Sequence, residues 1–112
     1  MTGSPKDVVE AAFRHYRAQD RAAAVLLYAD DFTFTSPQDD HIDKAAFFAR
    51  CFPTADRMAE QRLLHVTPAD DELVLVHYEY ELAEGGRYRN VEAITVRDGL
   101  IREVQVFFGG GV

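Results

Sequence analysis

Apolar residues recur along this chain with two different periods. Near the N-terminus, Val8, Val9, Ala12, Phe13 and Tyr16 fall at helical spacing, with Lys6, Glu10, Arg14 and Arg17 mostly on the other side. Ser4-Pro5 supplies a capping hydroxyl followed by proline at the first helical position. Asp20 is placed to cap a second helix, Arg21 to Ala29, whose face is Ala24, Leu27 and Tyr28; Asp30-Asp31 break it. Phe32 to Ser36 alternates as a strand does, and Pro37 ends it. After the acidic loop Gln38 to Ile42, Asp43 caps a third helix from Lys44 to Phe52. Ala45, Phe48 and Phe52 share its stripe, Phe47 and Cys51 flank it, and Pro53 stops it. A strand follows near Gln61 to Thr67. From Leu73 to Phe108 the period is two: three strands are joined at Gly85-Gly86 and Asp98-Gly99, the residue pairs that tight hairpins need for positive φ. Gly109 to Val112 reads as a flexible end.

Helix, helix, strand, helix and then four antiparallel strands predict a single α+β domain spanning the 112 residues. Three N-terminal helices pack on a curved, mixed but mainly antiparallel sheet, and a pocket is enclosed between its concave face and the helices. Phe13, Phe34 and Phe48 are the aromatic residues expected to line that pocket, with Val104 and Val106 from the last strand.

Three ionisable groups, His77, Glu79 and Glu92, stand in the sheet where apolar residues are the norm. A two-residue turn at Gly85-Gly86 sets Glu79 opposite Glu92 and His77 opposite Ile94, and directly opposed residues share a face. The second turn fits either two residues or a three-residue loop with a bulge. The bulged loop is preferred because it sets Glu92 opposite Val104 and gathers more apolar side chains; the shorter one turns Ile101, Glu103, Gln105 and Phe107 to that face instead. Two glutamates in an apolar cavity repel unless one stays protonated or His77 lies between them as imidazolium. That is a route to a proton donor or acceptor working near neutral pH. Glu92 and His77 are therefore the candidate catalytic pair, with Glu79, Tyr16 and Ser36 as candidate ligand contacts. Val74, Val76, Tyr78, Tyr80, Val91, Ala93 and Thr95 then form an outer face too apolar for water, which predicts a homodimer through it.

The remaining chemistry narrows this further. A formal net charge of −7 argues against nucleic acid or an anionic membrane as partner. A single cysteine, Cys51, precludes an intrachain disulfide, and no apolar run reads as a signal peptide or a membrane span, so a cytoplasmic location is expected. Cys51 itself reads as a small buried hydrophobe with no base beside it. Asp39, Asp40 and His41 form an acid–histidine cluster on a loop able to overhang the pocket. His77, Glu79 and Glu92 are legitimate ligand types, but no compact motif such as His-Glu-x-x-His occurs, so neither a metal nor another cofactor is expected.

Arg17-Ala-Gln-Asp20, Tyr28-Ala-Asp-Asp-Phe-Thr-Phe-Thr-Ser-Pro37 and Val96-Arg-Asp-Gly-Leu-Ile-Arg-Glu-Val-Gln-Val-Phe-Phe-Gly109 resemble the nuclear-transport-factor-like superfamily. Within it the chain is most similar to the ketosteroid-isomerase and SnoaL-like polyketide cyclase branch. Thr35 to Asp43, with Phe47-Phe48, Cys51 and Pro53, looks like a subgroup of small bacterial members. The resemblance spans nearly the whole chain and implies a cone-shaped scaffold that hosts isomerases, dehydratases, cyclases, hydrolases and non-enzymes. It sets the isomerase oxyanion-hole tyrosine on Ala12, the general base on Ser36 and the second oxyanion-hole acid on Glu92. With only the acid kept, ketosteroid isomerisation itself is not expected. What remains is a cofactor-independent acid–base enzyme acting on a small apolar carbonyl or hydroxyl compound, with a non-catalytic dimeric binding domain as the alternative.

Overall fold

Each helix begins at the residue expected to cap it. In the computed structural model, which describes residues 3–112, Ser4 Oγ accepts from Asp7 N while Asp7 Oδ2 accepts from Ser4 N, both at 3.2 Å. This reciprocal capping box opens α1, Pro5–Ala18. Asp20 caps α2, Arg21–Val25, and Asp43 caps α3, Lys44–Arg50, each accepting from a backbone N–H three residues on. Met1 and Thr2, the start of the stretch read for a signal peptide, lie outside the described residues.

Helix α2 is shorter than expected, because strand β1, Tyr28–Thr35, already begins at Tyr28. Tyr28 pairs in parallel with Ile101, whose N donates to Leu27 O at 2.8 Å, and its ring packs edge-on to Phe32 and Phe48. Burying that ring outweighs the helical preference of the alanines before it. β2 is the short Ile42–Asp43; after α3, Phe52–Arg57 forms a 3-10 helix. Four long strands follow: β3 (Met58–Pro68), β4 (Leu73–Leu82), β5 (Arg87–Arg97) and β6 (Leu100–Gly111). The glycines of the C-terminal segment thus continue β6 rather than forming a loose end. β3 to β6 is an antiparallel meander and β1 joins β6 in parallel, giving a mixed six-stranded sheet of order β2-β1-β6-β5-β4-β3. The architecture is α+β, this sheet with three α-helices.

Register decides which side chains face the helices, and one hairpin departs from expectation. Glu81, not Glu84, lies opposite Arg87, and Leu82 N donates to Gly86 O at 3.0 Å, so Ala83, Glu84 and Gly85 form a three-residue loop. Gly85 and Gly86 both have the positive φ foreseen, 105° and 102°. The longer loop shifts the partner by an odd number, and an odd shift exchanges the two faces of β4. Val74, Val76 and Tyr78 are therefore core, whereas His77 and Glu79 point to the outside. Packing two valines and a tyrosine against the helices wins over placing an imidazole and a carboxylate there, and Glu79 is instead covered by side chains of the opposite face. The outer face accordingly keeps Val91, Ala93 and Thr95 of those expected, with Leu75 and the exposed Phe107 beside them.

The second hairpin differs in detail but keeps its parity. Asp98 and Gly99, at φ 55° and 76°, make the two-residue turn, and the extra residue, Arg102, enters one step later. Glu92 then pairs with Val106 and Ile94 with Val104, so Val104 and Val106 share the Glu92 face as expected.

Candidate functional site

Alternation along β4, β5 and β6 turns Tyr78, Tyr80, Asn90, Glu92, Ile94, Val104 and Val106 to the helical side. With Phe13 and Tyr16 of α1, Tyr28, Phe34 and Ser36 of the first strand and its end, and Phe47 of α3, they line a cavity of about 710 Å³. Phe48, expected among the lining, packs behind it against Tyr28, Phe52 and the Arg21 guanidinium; its neighbour Phe47 faces the cavity instead. Successive helical residues point about 100° apart, and along α3 it is Phe47 that looks inward.

Glu92 is the ionisable group in the depth of this wall. It retains some accessible surface, but as a lining residue it exposes that surface to the cavity, and its carboxyl is hemmed in by protein. Loss of hydration pushes its pKa up from 4.5 to about 7, although the Tyr78 hydroxyl, donating to Oε2 at 2.7 Å, favours the ionised form. Asn90 Nδ2 donates in turn to Tyr78 Oη at 3.1 Å. Burial first, and then the Glu92 carboxylate, raise the Tyr78 hydroxyl far above the ordinary phenol range, so it stays a donor.

The other hydroxyls differ in availability. Tyr16 Oη lies 2.8 Å from Thr54 Oγ1, whose own proton goes to the Cys51 carbonyl at 2.7 Å, so the Tyr16 proton is committed to Thr54. Ser36 Oγ accepts from the backbone N–H groups of Gln38 and Asp39, each at 3.2 Å, and holds the loop rather than a ligand. Tyr28, not foreseen from the sequence, lines the cavity with a hydroxyl that has no hydrogen-bond partner among the described residues. Burial and the Glu92 carboxylate raise its pKa too, keeping it protonated. Asp39, also in the lining, lies 3.5 Å from Arg50, while Asp40 and His41 are exposed and 2.6 Å from each other. Burial pushes the Cys51 thiol up to about 11, with Asp39 adding to it, so it is not a thiolate nucleophile.

His77 and Glu79 belong to the opposite surface. His77 Nδ1 lies 3.2 Å from His65 Nδ1, the rings parallel. Glu79 is gripped by Arg62 Nη2 at 2.9 Å and Arg89 Nε at 3.1 Å, with Arg87 Nε at 3.7 Å. The cover over its carboxyl acts to raise its pKa, but these guanidinium groups hold it below the usual carboxylate range. The expected Glu92–His77 pair is thus separated by the sheet itself. Among the described residues, no group of three or more His, Cys, Asp or Glu side chains is placed to hold a metal ion.

Glu92 thus sets a buried carboxyl on the inner face of an open sheet. The family model described as SnoaL-like domain matches residues 9–104. The chain belongs to the SnoaL-like domain family. Solved structures agree on the fold. A protein from Kribbella flavida DSM 17836 superimposes with a TM-score of 0.83 at 22% identity, over 91% of this chain and 84% of that one. An NTF2-like protein of unknown function from Cytophaga hutchinsonii gives 0.77 at 16%, over 96% and 92%. SalBIII, described as an epoxide hydrolase/cyclase-like enzyme in pyran ring formation in the polyether salinomycin, gives 0.75 at 21%, over 94% and 90%. No curated protein sequence matches the chain.

Proposed function

We infer that this SnoaL-like chain is a cofactor-independent acid–base enzyme of isomerase, cyclase or dehydratase type. It acts on a small or medium apolar molecule bearing a carbonyl or hydroxyl group. The observation that carries this reading is Glu92, whose carboxyl is drawn to a pKa of about 7 by burial in an apolar cavity. A group half-ionised near neutrality both removes and returns a proton. As carboxylate, Glu92 takes a proton from carbon beside a carbonyl, the electron pair moves to the carbonyl oxygen, and the neutral acid returns the proton to another atom. The unpaired Tyr28 hydroxyl is the donor suited to the charge developing on oxygen. Ala12 and Ser36 supply neither the tyrosine nor the base of a ketosteroid isomerase, so steroid isomerisation is not the reaction assigned. The description of SalBIII supports keeping cyclisation among the candidates.

Incubating the protein with a panel of hydroxy-ketones and epoxy-alcohols, followed by mass spectrometry, tests this directly. Conversion by the wild type and its loss in Glu92→Gln is the expected result. A Glu92 that titrates near 4.5 in carboxyl-carbon NMR overturns it.

A second reading, a non-catalytic dimeric domain for the same class of ligand, is favoured by one observation: the sole side-chain hydrogen-bond partner of Glu92 among the described residues is Tyr78. Binding without turnover across the panel would select it. In either reading two copies pair through the outer face around Leu75, Val91 and Phe107 in the cytoplasm, without nucleic acid or membrane. Among the described residues no helix is long and apolar enough to cross a bilayer.

A further inference from the structure

Of the residues that line the cavity, Gln38, Arg50 and Arg57 are exposed to solvent, which marks them as its rim. Two arginines at the mouth of a largely apolar hollow stand out in a chain of net charge −7. They differ in their surroundings. Arg50 Nη2 lies 3.5 Å from Asp39 Oδ1, another lining residue, so its charge is answered within the chain. Arg57 has no such answer. Every other lysine and arginine except Arg14 has an ion-pair or side-chain hydrogen-bond partner among the described residues. Arg14 is not part of the lining, and acidic side chains outnumber basic ones by 19 to 12, so Arg57 is not left over for want of carboxylates. Its place is fixed by backbone: Arg57 O accepts from Ala83 N at 2.8 Å, and the next residue, Met58, pairs with Leu82 at the end of β4. Leu82 leaves the same face as Tyr78, the partner of Glu92, four residues and about 13 Å further along the strand. The cavity therefore has a carboxyl in its depth and an uncommitted guanidinium at its rim.

We propose that the ligand of this cavity is a carboxylic acid, its carboxylate held at the rim by the Arg57 guanidinium while its apolar body fills the hollow beneath. A guanidinium offers paired N–H donors that match the two oxygens of a carboxylate, and at an exposed rim both partners reach each other without rearrangement of the wall. The separation of Arg57 from the Tyr78–Glu92 pair sets the carboxylate several bonds from the carbonyl or hydroxyl carbon, which keeps its charge away from an ionised Glu92. An acidic chain repels anions at a distance, so the attraction has to be local, and Arg57 supplies it. This rests on the reading of the cavity given above and narrows its ligand to a keto or hydroxy acid. Arg57 is accordingly a binding and specificity residue, and Glu92 the group that reacts.

NMR titration of the intact protein near neutral pH with γ-benzoylbutyric acid and its primary amide provides the test, run on wild type, Arg57→Met, Arg50→Met and Glu92→Gln. The two probes share a phenyl ketone and differ in the charge at the far end. The acid is expected to bind about tenfold more tightly than the amide to wild type, and at least as selectively to Glu92→Gln, with the preference gone in Arg57→Met. In wild type the guanidinium carbon signal of Arg57 moves with the acid and not with the amide; this readout decides alone if Arg57→Met does not fold. Equal affinities in wild type overturn the proposal, as does failure of both probes to bind at millimolar concentration. A preference that survives Arg57→Met overturns it too, and its loss in Arg50→Met then gives the anion to Arg50. Conversely, a Glu92 with an ordinary titration sinks the catalytic reading without touching the choice of acid over amide.

Discussion

Replacing Glu92 by glutamine removes an ionisation while preserving the shape of the side chain and an oxygen able to accept from Tyr78. In the folded chain Glu92 keeps its proton up to about pH 7, whereas an unfolded chain releases it near 4.5. Below the lower value both states are protonated, and ionisation of this residue costs no stability. Between the two values only the unfolded state gains by ionising, so the wild type loses about 1.4 kcal/mol for each pH unit. Above pH 7 the loss levels off at about 3 kcal/mol. Glu92→Gln carries no such loss, and every other titrating group cancels in the comparison. Urea denaturation of both proteins, followed by far-ultraviolet circular dichroism from about pH 4 to about pH 8, measures the difference. The midpoints should separate in favour of the variant by roughly 2 M urea over that range. A gap that stays constant with pH would mean that Glu92 ionises in the folded chain as a free carboxyl does, and the acid–base reading would lose its foundation.

The phase of β4 predicts a contrast between neighbouring positions. Val76→Ala, at a fully buried site, should cost about 2 kcal/mol in chemical denaturation, and His77→Ala should stay within about 0.5 kcal/mol; the reverse order would refute the register. His77→Ala should also leave the Glu92 titration unchanged in NMR, because the sheet separates the two side chains. If the outer face pairs two copies, Phe107→Glu, at a residue 56% exposed, converts a dimer into a monomer by sedimentation velocity, and a wild type already monomeric at micromolar concentration refutes the pairing.

Much of this architecture is readable from local signals. Ser4, Asp20 and Asp43 announce three helices because a capping side chain acts within three residues of itself. The shared face of Glu92, Ile94, Val104 and Val106 is readable because turn and bulge together preserve parity. The phase of β4 is harder, since Gly85-Gly86 suits two loop lengths that differ by an odd number. The competing signal was nonetheless present: Val74, Val76, Tyr78 and Tyr80 are more apolar than Leu75, His77 and Glu79, and core burial follows that difference. Counting the hairpin from its apolar stripe rather than from its glycines would have brought Tyr78 and Asn90 to Glu92. Tyr28 and Phe47 are a different matter. Their inward placement depends on parallel pairing with β6 and on the packing of α3, contacts distant in sequence that no local pattern encodes.

The loop of Ala83, Glu84 and Gly85 has a bearing on how such a protein is redesigned or diversified. Because side chains alternate along a strand, deleting or inserting one residue there does not nudge the cavity wall but swaps its inventory wholesale, exchanging phenols for imidazole and carboxylate. Val74 and Val76 would then face water, so the swap is tolerated only when the greasy stripe of β4 is rewritten in the same step. Cavity chemistry in this scaffold is thus inherited in two alternative sets, and a library that varies loop length without varying strand phase will recover mostly misfolded chains.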